Sequence, residues 1–155
     1  MVCTSARWPV SVKGVALDGW GRVLLLRNER DEWELPGGRL ETGGREGGVA
    51  RDVSPEAALE REVREETGWE VEAGPLIGGG VWVYQPLPGQ YVLIVTYGCT
   101  VLTPGRRPVV SHEHKQFGLF AAGQVPGLDM PDGYKRSIAA WFGRRDAGSG
   151  VVGQG

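Results

Sequence analysis

The sequence predicts an α/β (α+β) protein, in which a mixed β-sheet is sandwiched between helices as an α/β/α sandwich. Three observations favour this fold class. Stretches with apolar residues at alternate positions recur along the chain, a well-capped helix interrupts them near the middle, and most connections between strands are short turns. A strand-helix-strand order with mainly hairpin connections gives a mixed sheet whose two faces are covered by helices.

The first two strands are predicted near the amino terminus. Residues 10–17 carry apolar side chains at roughly alternate positions, and Arg22 leads into a second apolar run, Val23-Leu24-Leu25-Leu26. Asp18-Gly19-Trp20-Gly21 between them has the composition of a turn. We therefore expect two neighbouring strands.

A glycine-rich segment follows these strands. A short extended stretch around Trp33 ends at Leu35-Pro36-Gly37-Gly38, and polar residues and glycines then continue to Asp52. We expect this segment to contain no packed element. Loops of this kind carry function more often than the elements they connect.

The central helix is predicted over residues 55–67, because signals for its start and its end flank that range. Ser54 can cap the first free amides, proline is tolerated at the first helical position, and Glu56 faces the positive end of the helix. Gly68 is a typical helix terminator.

The later elements follow from composition. Residues 77–85 and 91–101 are rich in β-branched and aromatic side chains and predict a hairpin around Pro86-Leu87-Pro88-Gly89-Gln90. Residues 116–120 predict a short strand, and residues 134–142 have the apolar spacing of a closing helix. We expect one domain over residues 1–143 and a disordered tail over residues 144–155.

Composition and charge exclude several function classes. The 155 residues carry a formal net charge of −2, which disfavours binding to a nucleic-acid polymer. Cys3 and Cys99 lack CxxC spacing, which is typical of a reducing compartment. The sequence contains no apolar run of the roughly 18 residues that a membrane span needs. We expect a soluble, cytoplasmic protein without a membrane partner.

Three glutamates lie on one side of the central helix. Glu62 and Glu66 are four positions apart, and Glu62 and Glu65 are three apart, so their carboxylates crowd together. A divalent cation would turn this repulsion into binding, and oxygen ligands select Mg²⁺ or Mn²⁺. The alternative is a solvated helix face with ion pairs such as Arg61 with Glu65, and for an isolated segment this alternative is favoured.

The surroundings of these glutamates resemble a known motif. Four segments are similar to the Nudix box, whose pattern is G-x5-E-x7-R-E-U-x-E-E-x-G-U with U apolar. They are Leu35-Pro36-Gly37-Gly38, Glu41-Thr42-Gly43, Ser54-Pro55-Glu56-Ala57-Ala58 and Arg61-Glu62-Val63-Arg64-Glu65-Glu66-Thr67-Gly68-Trp69. The second half matches at every defined position. The resemblance covers roughly residues 10–142 and implies a MutT-like Nudix hydrolase with a loop-helix-loop motif in a mixed-sheet sandwich.

The first half of the box is lengthened. Gly38 lies 23 positions before the arginine, where the family has 14, so about nine residues are inserted between Gly43 and Val53. The glutamate that the family carries just before the helix is missing. Glu46 or Asp52 could replace it, although a glycine-rich loop positions a carboxylate less well than a helix does.

The resemblance assigns roles to the remaining box residues. It implies that Glu62, Glu65 and Glu66 hold the metal, with the carbonyl of Gly38 as a further ligand, and that Arg61 orients a glutamate by ion pairing. The implied reaction is attack of water on a phosphorus atom while cations neutralise the charge of the diphosphate.

A second acidic site is expected in Ser111-His112-Glu113-His114-Lys115. Many Nudix enzymes carry a glutamate on the corresponding loop as a base or metal ligand, and Glu113 matches that position. Two alternatives remain open, namely a solvent-exposed polar loop and a zinc site built on the two histidines, for which a third ligand is missing.

Substrate contacts are less well defined. Trp33, Tyr84 and other aromatic residues of the predicted strands could stack on a base, although each is more often part of a core. Arg27 and Arg30 could meet a phosphate, as could Lys13, but an exposed charge is the more ordinary state of each.

Three functions fit these observations. The leading one is hydrolysis of a nucleoside diphosphate derivative such as ADP-ribose or a nucleotide sugar. The second is hydrolysis of nucleoside triphosphates, including oxidised ones. The third is a nucleotide-binding or regulatory domain with weakened turnover, which the insertion and the missing glutamate support. Members of the family commonly form homodimers, so a dimer is also expected.

Overall fold

The computed structural model describes residues 7–43, 49–50 and 52–152. The strands, in chain order, are β1 (Val10–Val15), β2 (Val23–Arg27), β3 (Trp33–Glu34), β4 (Gly37–Arg39), β5 (Thr42–Gly43), β6 (Val49–Ala50), β7 (Val71–Leu87), β8 (Gln90–Val101) and β9 (Gln116–Phe120). The helices are α1 (Pro55–Thr67), a 3₁₀ helix (Ala122–Gly127) and α2 (Asp132–Val152).

The larger sheet is mixed, as predicted. Its four strands lie in the order β4-β1-β8-β7, with β1 parallel to β8 and the other pairs antiparallel. A second, three-stranded antiparallel sheet has the order β3-β2-β9, and β5 pairs with β6. The parallel register places Val12 opposite Val95, so the two strands end near each other.

The prediction of α1 is confirmed at both ends. The Ser54 hydroxyl accepts a hydrogen bond from the Ala57 amide at 3.0 Å, and Gly68 ends the helix with a left-handed φ of 75°. Leu59 and Val63 are completely buried and fix the helix against the larger sheet. Full burial of two such side chains contributes about 3–6 kcal/mol.

The core lies in two layers, because neighbouring strand residues point to opposite faces. Leu25 packs with Ile94 and with Ile138 of α2. Leu24 packs with Leu59 of α1 on the other side. Helices therefore cover both sides of the strand layer, as the sequence predicts.

The prediction that the first two strands are neighbours is wrong. β1 and β2 belong to different sheets and are linked by a single bridge between Leu17 and Val23 in the described chain. Both edges of β1 are occupied by β4 and β8, so β2 cannot pair along it. The second strand pairs instead with β3 and β9.

The prediction of no packed element after Leu35 is wrong for β4. Gly37 and Gly38 pair with β1 opposite Lys13 and Val12. Gly37 has a φ of 139°, and a Cβ at this position would collide with the carbonyl of Val12. Glycine therefore allows a backbone approach that a larger residue would prevent. Residues 44–48 and 51 lie outside the described part of the chain.

The carboxyl-terminal half differs from the sequence prediction in length. The hairpin is present, but β7 begins at Val71 and contains register shifts near its glycines. The closing helix begins at Asp132 and continues to Val152, so residues 144–152 are helical where the sequence favours disorder. The chain has no proline after Pro131, so no residue in this segment blocks the helical hydrogen bonds. In the described residues, no helix is long and apolar enough to cross a membrane.

Candidate active site

A cleft of about 570 Å³ lies between α1, β4 and the loop that precedes β9. We call it the glutamate cleft. It is lined by the box residues Arg61, Glu62, Glu65 and Glu66, by Gly37 and Gly38, and by Ser111, His112, Glu113 and His114. Both acidic segments singled out in the sequence therefore face the same space, and its volume is typical of small-molecule sites.

Two glycines bring β4 against the glutamates of α1. The Gly37 amide donates a hydrogen bond of 3.0 Å to Oε2 of Glu66. A Cβ on Gly38 would lie 2.6 Å from the carboxyl carbon of Glu62, so a larger residue there would displace this carboxylate. The backbone of β4 thus lies directly beside two carboxylates that the sequence predicts as metal ligands.

Arg61 links three carboxylates around the cleft. Its Nε and Nη2 contact the two oxygens of Asp52 at 2.8 and 3.0 Å. Its Nη1 lies 3.1 Å from both Glu62 and Glu65. This confirms that Arg61 pairs with glutamates. Two residues were considered as a replacement for the missing glutamate. Asp52 supports Arg61, and Glu46 lies outside the described residues.

Burial sets the protonation of the cleft glutamates. Glu66 is 5% exposed, and this burial raises its pKa to about 7 in spite of the positive charge of Lys13 and the amide of Gly37. Burial also raises the pKa of Glu62, although Arg61 opposes the change. Unpaired negative charge is costly at these positions, which favours binding of a positive charge there.

A buried ionic network lies beneath the cleft. Lys13 is 7% exposed, so the expectation of an exposed charge is wrong for this residue. Its Nζ donates a hydrogen bond of 3.2 Å to the carbonyl of Leu35. Burial acts to raise the pKa of Glu34, but Lys13 and hydrogen bonds from His114 and Asn28 lower it to about 2. Glu34 therefore stays ionised and holds Nε2 of His114 at 2.9 Å.

The loop before β9 carries Glu113 between two histidines that differ in environment. His112 and Glu113 are exposed, whereas the side chain of His114 is 9% exposed and lies against Glu34. The hydrogen bond to Glu34 raises the pKa of His114, although burial opposes it. The alternative of a solvent-exposed polar loop therefore does not hold at His114.

The predicted substrate contacts divide into two groups. Arg30 lines the glutamate cleft, where its Nε pairs with Glu32 at 2.9 Å. Arg27 instead lies over the ring of Trp33, which packs edge-on against Phe120. The other three predicted residues, Arg27, Trp33 and Tyr84, do not line this cleft.

Several cleft residues were not identified from the sequence. Glu34, Arg39 and Glu41 all line the cleft. Their position in the sequence could have identified them, because all three lie within four residues of the Pro36-Gly37-Gly38 segment that brings β4 beside α1. An acidic residue inside a short, half-buried strand, such as Glu34, indicates a paired charge.

The donor set fits a hard divalent cation. The carboxylates and the glycine backbone offer only oxygen ligands, which Mg²⁺ and Mn²⁺ prefer. Within residues 7–43, 49–50 and 52–152, no three side chains of His, Cys, Asp or Glu converge on one point. Arg61 pairs with Glu62 and Glu65, so these two carboxylates would have to turn from Arg61 to hold a cation.

Comparisons with known proteins point to one domain family. The family model of the NUDIX domain matches residues 7–142. A MutT-like protein of Streptomyces ambofaciens is 44% identical over 70 residues, which cover 44% of this chain and 40% of that protein. The match therefore spans less than half the length of that relative.

Solved structures share the fold. A MutT protein from Methanosarcina mazei Go1 has a TM-score of 0.70 at 20% identity, over 92% of this chain and 99% of that one. An ADP-ribose pyrophosphatase from Streptococcus suis 89-1591 has a TM-score of 0.62 at 20% identity, over 88% of this chain and 91% of that one. A UDP-X diphosphatase has a TM-score of 0.65 at 21% identity, over 90% of this chain and 64% of that one. The family match over nearly the whole described chain confirms the resemblance of the box, and this chain belongs to the NUDIX domain family of hydrolases.

Proposed function

We propose that this protein is a Mg²⁺-dependent hydrolase, with Mn²⁺ as a substitute, that cleaves the diphosphate linkage of a nucleoside diphosphate derivative. ADP-ribose and nucleotide sugars are the substrate types. An ADP-ribose pyrophosphatase and a UDP-X diphosphatase share the fold and are named for such activities. The observation that carries the proposal is the close approach of the Gly37-Gly38 backbone to Glu66 and Glu62.

Each cleft residue has a distinct task in this proposal. Glu62, Glu65 and Glu66 would hold the cation, together with the carbonyl of Gly38. A bound divalent cation would neutralise negative charge on the diphosphate and on the leaving phosphate. Arg61 orients Glu62 and Glu65, each of which lies 3.1 Å from its guanidinium.

Glu113 is proposed as the base. It lines the cleft from the loop before β9, which His114 anchors to Glu34. Hydrolysis forms one bond from water oxygen to phosphorus and breaks the bridging bond, while a proton leaves the water. Glu113 would accept that proton, which is ordinary chemistry for a positioned carboxylate.

Nucleoside triphosphates are the second candidate substrates, including oxidised ones. A MutT protein shares the fold over almost its whole length, and a MutT-like protein is related in sequence over part of the chain. A nucleotide-binding domain with weakened turnover is the third candidate. The retained pairing of Arg61 with Glu62 and Glu65 argues against it, because these contacts orient the side chains that would hold the cation.

The proposal is tested by phosphate-release assays with Mg²⁺. The panel contains ADP-ribose, a nucleotide sugar, and ordinary and oxidised nucleoside triphosphates. Glu65→Gln and Glu66→Gln should each lower kcat by about 10²-fold or more, the scale of other preorganised electrostatic groups. Glu72→Gln is the matched control, because this exposed glutamate on β7 is not among the residues that line the cleft.

The outcomes separate the three candidates. Faster turnover of ADP-ribose or the nucleotide sugar supports the proposal, and a preference for triphosphates replaces it with the second candidate. Binding of a panel member without turnover by the wild type would establish the third. An unchanged rate in both glutamine variants would remove Glu65 and Glu66 from the site.

A further inference from the structure

A second cleft of about 680 Å³ lies beside the glutamate cleft, at the edge of the larger sheet. We call it the aromatic cleft. Its walls are formed by the segment before β1, by β4 and by the turn of the β7–β8 hairpin, and include Arg7, Trp8, Arg39, Pro86 and Tyr91. It is as large as ordinary small-molecule sites, and Arg39 is the one lining residue that it shares with the glutamate cleft in the described chain.

Two aromatic rings form one wall of this cleft. Trp8 and Tyr91 are stacked, with ring centroids 5.3 Å apart and an angle of 27° between the planes. They remain 44% and 39% exposed. The backbone holds this arrangement, because the Pro9 carbonyl accepts a hydrogen bond of 2.9 Å from the Leu93 amide. A rigid, exposed pair of rings offers a flat face on which another planar ring can stack.

Two arginine side chains line the same cleft. Arg7 and Arg39 are both exposed and both line it. Neither guanidinium forms an ion pair with another residue in the part of the chain that the structure describes. Since none of the described residues that line the cleft is acidic, the wall is complementary to an anion.

Arg39 connects the two clefts. It lines both of them, and it follows Gly38, whose backbone lies directly against the carboxylate of Glu62. The Arg39 side chain therefore borders both spaces. A ligand in the aromatic cleft that passes Arg39 would bring its phosphates to the glutamate cleft.

We propose that the aromatic cleft binds the base of the nucleotide substrate, with Trp8 and Tyr91 stacking on the base and Arg39 contacting the phosphate next to it. This inference rests on the proposed function, since it places one end of the same substrate. It defines the substrate class as a diphosphate with a planar aromatic group at one end. Stacking and a guanidinium contact together distinguish this ligand from a simple sugar phosphate.

The test measures binding without turnover, with AMP and inorganic pyrophosphate as probes in calorimetric titrations. Trp8→Leu should weaken AMP binding by roughly 10-fold, the scale of one lost base stack, and leave pyrophosphate binding within about 2-fold. Trp8→Phe should restore most of the affinity for AMP. Arg39→Gln should weaken both probes by roughly 10-fold, because each presents a phosphate to this side chain.

Matched controls exist for both substitutions. Trp20 is an 80% exposed tryptophan outside both clefts, so Trp20→Leu should leave AMP binding unchanged. Arg136 is exposed on α2, and Arg136→Gln should likewise change neither probe. For substrates, Trp8→Leu should raise KM with kcat retained, since the base lies away from the bond that breaks.

The results separate this inference from the proposed function. If the wild type hydrolyses a nucleotide but Trp8→Leu binds AMP as tightly as the wild type, the inference fails alone. If no nucleotide is hydrolysed while AMP binding still depends on Trp8, the proposed function fails and the base site stands. Equal losses in the Trp8 and Trp20 variants would also overturn the inference.

Discussion

Asp52 holds the guanidinium of Arg61 through two hydrogen bonds of 2.8 and 3.0 Å. Both side chains are largely buried, with 8% and 14% exposure. The aspartate occupies two of the donors of Arg61 and leaves Nη1 for Glu62 and Glu65. Asp52, at the end of the inserted segment, therefore supports Arg61. Arg61 has this carboxylate as a partner although the box glutamate is missing.

Asp52→Asn tests this support. The substitution removes the charge that holds Arg61, so we expect activity or Mg²⁺ affinity to fall roughly 10- to 100-fold, as for other residues that orient metal ligands. Titration of the rate with Mg²⁺ measures the effect. Asp146→Asn, at an exposed position on α2, is the control and should match the wild type. If the Asp52 variant and the wild type depend equally on Mg²⁺, Asp52 does not support the site through Arg61.

Gly38→Ala tests the close approach of β4 to α1. The new Cβ would lie 2.6 Å from the Glu62 carboxyl carbon, so this carboxylate must move. A displacement of about 1 Å at a catalytic site costs roughly 10²-fold in rate, and we expect a loss of that order. Gly105→Ala adds a Cβ that meets no described atom within 4 Å and serves as the control. A fully active Gly38→Ala enzyme would show that Glu62 need not lie against β4.

The parts of the structure that the sequence predicted are set by local interactions. The Ser54 cap and the Gly68 terminator lie within one turn of the helix they delimit, so α1 is correct at both ends. The three glutamates share a side of α1 because helical periodicity alone puts them there. Helical periodicity therefore also made it predictable that the three glutamates line one cleft.

The errors arise where distant residues decide the outcome. Lys13 is exposed or buried depending on how β1 pairs, and its partners at Leu35 and Glu34 are more than 20 positions away. The pairing of Gly37 with β1 likewise depends on a close backbone approach that leaves no periodic signal. Strand partners such as β9 for β2 are separated by about 90 residues of chain, and no local pattern specifies them.

His114 is expected to position Glu113. The 2.9 Å contact with Glu34 anchors the loop, so His114→Ala should lower kcat about 10-fold while KM changes by less than about 2-fold. His112→Ala is the matched control, since His112 also flanks Glu113 but is exposed. Steady-state kinetics of both variants make the comparison. Similar effects of the two alanines would mean that the contact with Glu34 does not position the base.

Asp18 is expected to make folding stability depend on pH. It is 8% exposed and accepts hydrogen bonds from the amides of Trp20 and Arg22 at 2.9 and 2.8 Å. Burial acts to raise its pKa, but these amides and the Arg22 side chain outweigh burial, so the pKa lies below its usual value. A carboxyl with a lowered folded-state pKa contributes stability above its unfolded pKa of about 3.9, and this contribution is lost as the pH falls through the folded value.

Asp18→Asn should therefore lower the free energy of unfolding by about 2 kcal/mol at pH 7, and the difference from wild type should shrink as the pH approaches 2. Urea denaturation at several pH values measures both quantities. Arg22 is 42% exposed, so solvent screens its ion pair and Arg22→Gln should cost less than half as much. An ionised carboxylate loses its stabilising effect when it is protonated. If the difference in the free energy of unfolding between Asp18→Asn and the wild type stays constant from pH 7 to pH 2, the charge of Asp18 does not contribute to stability.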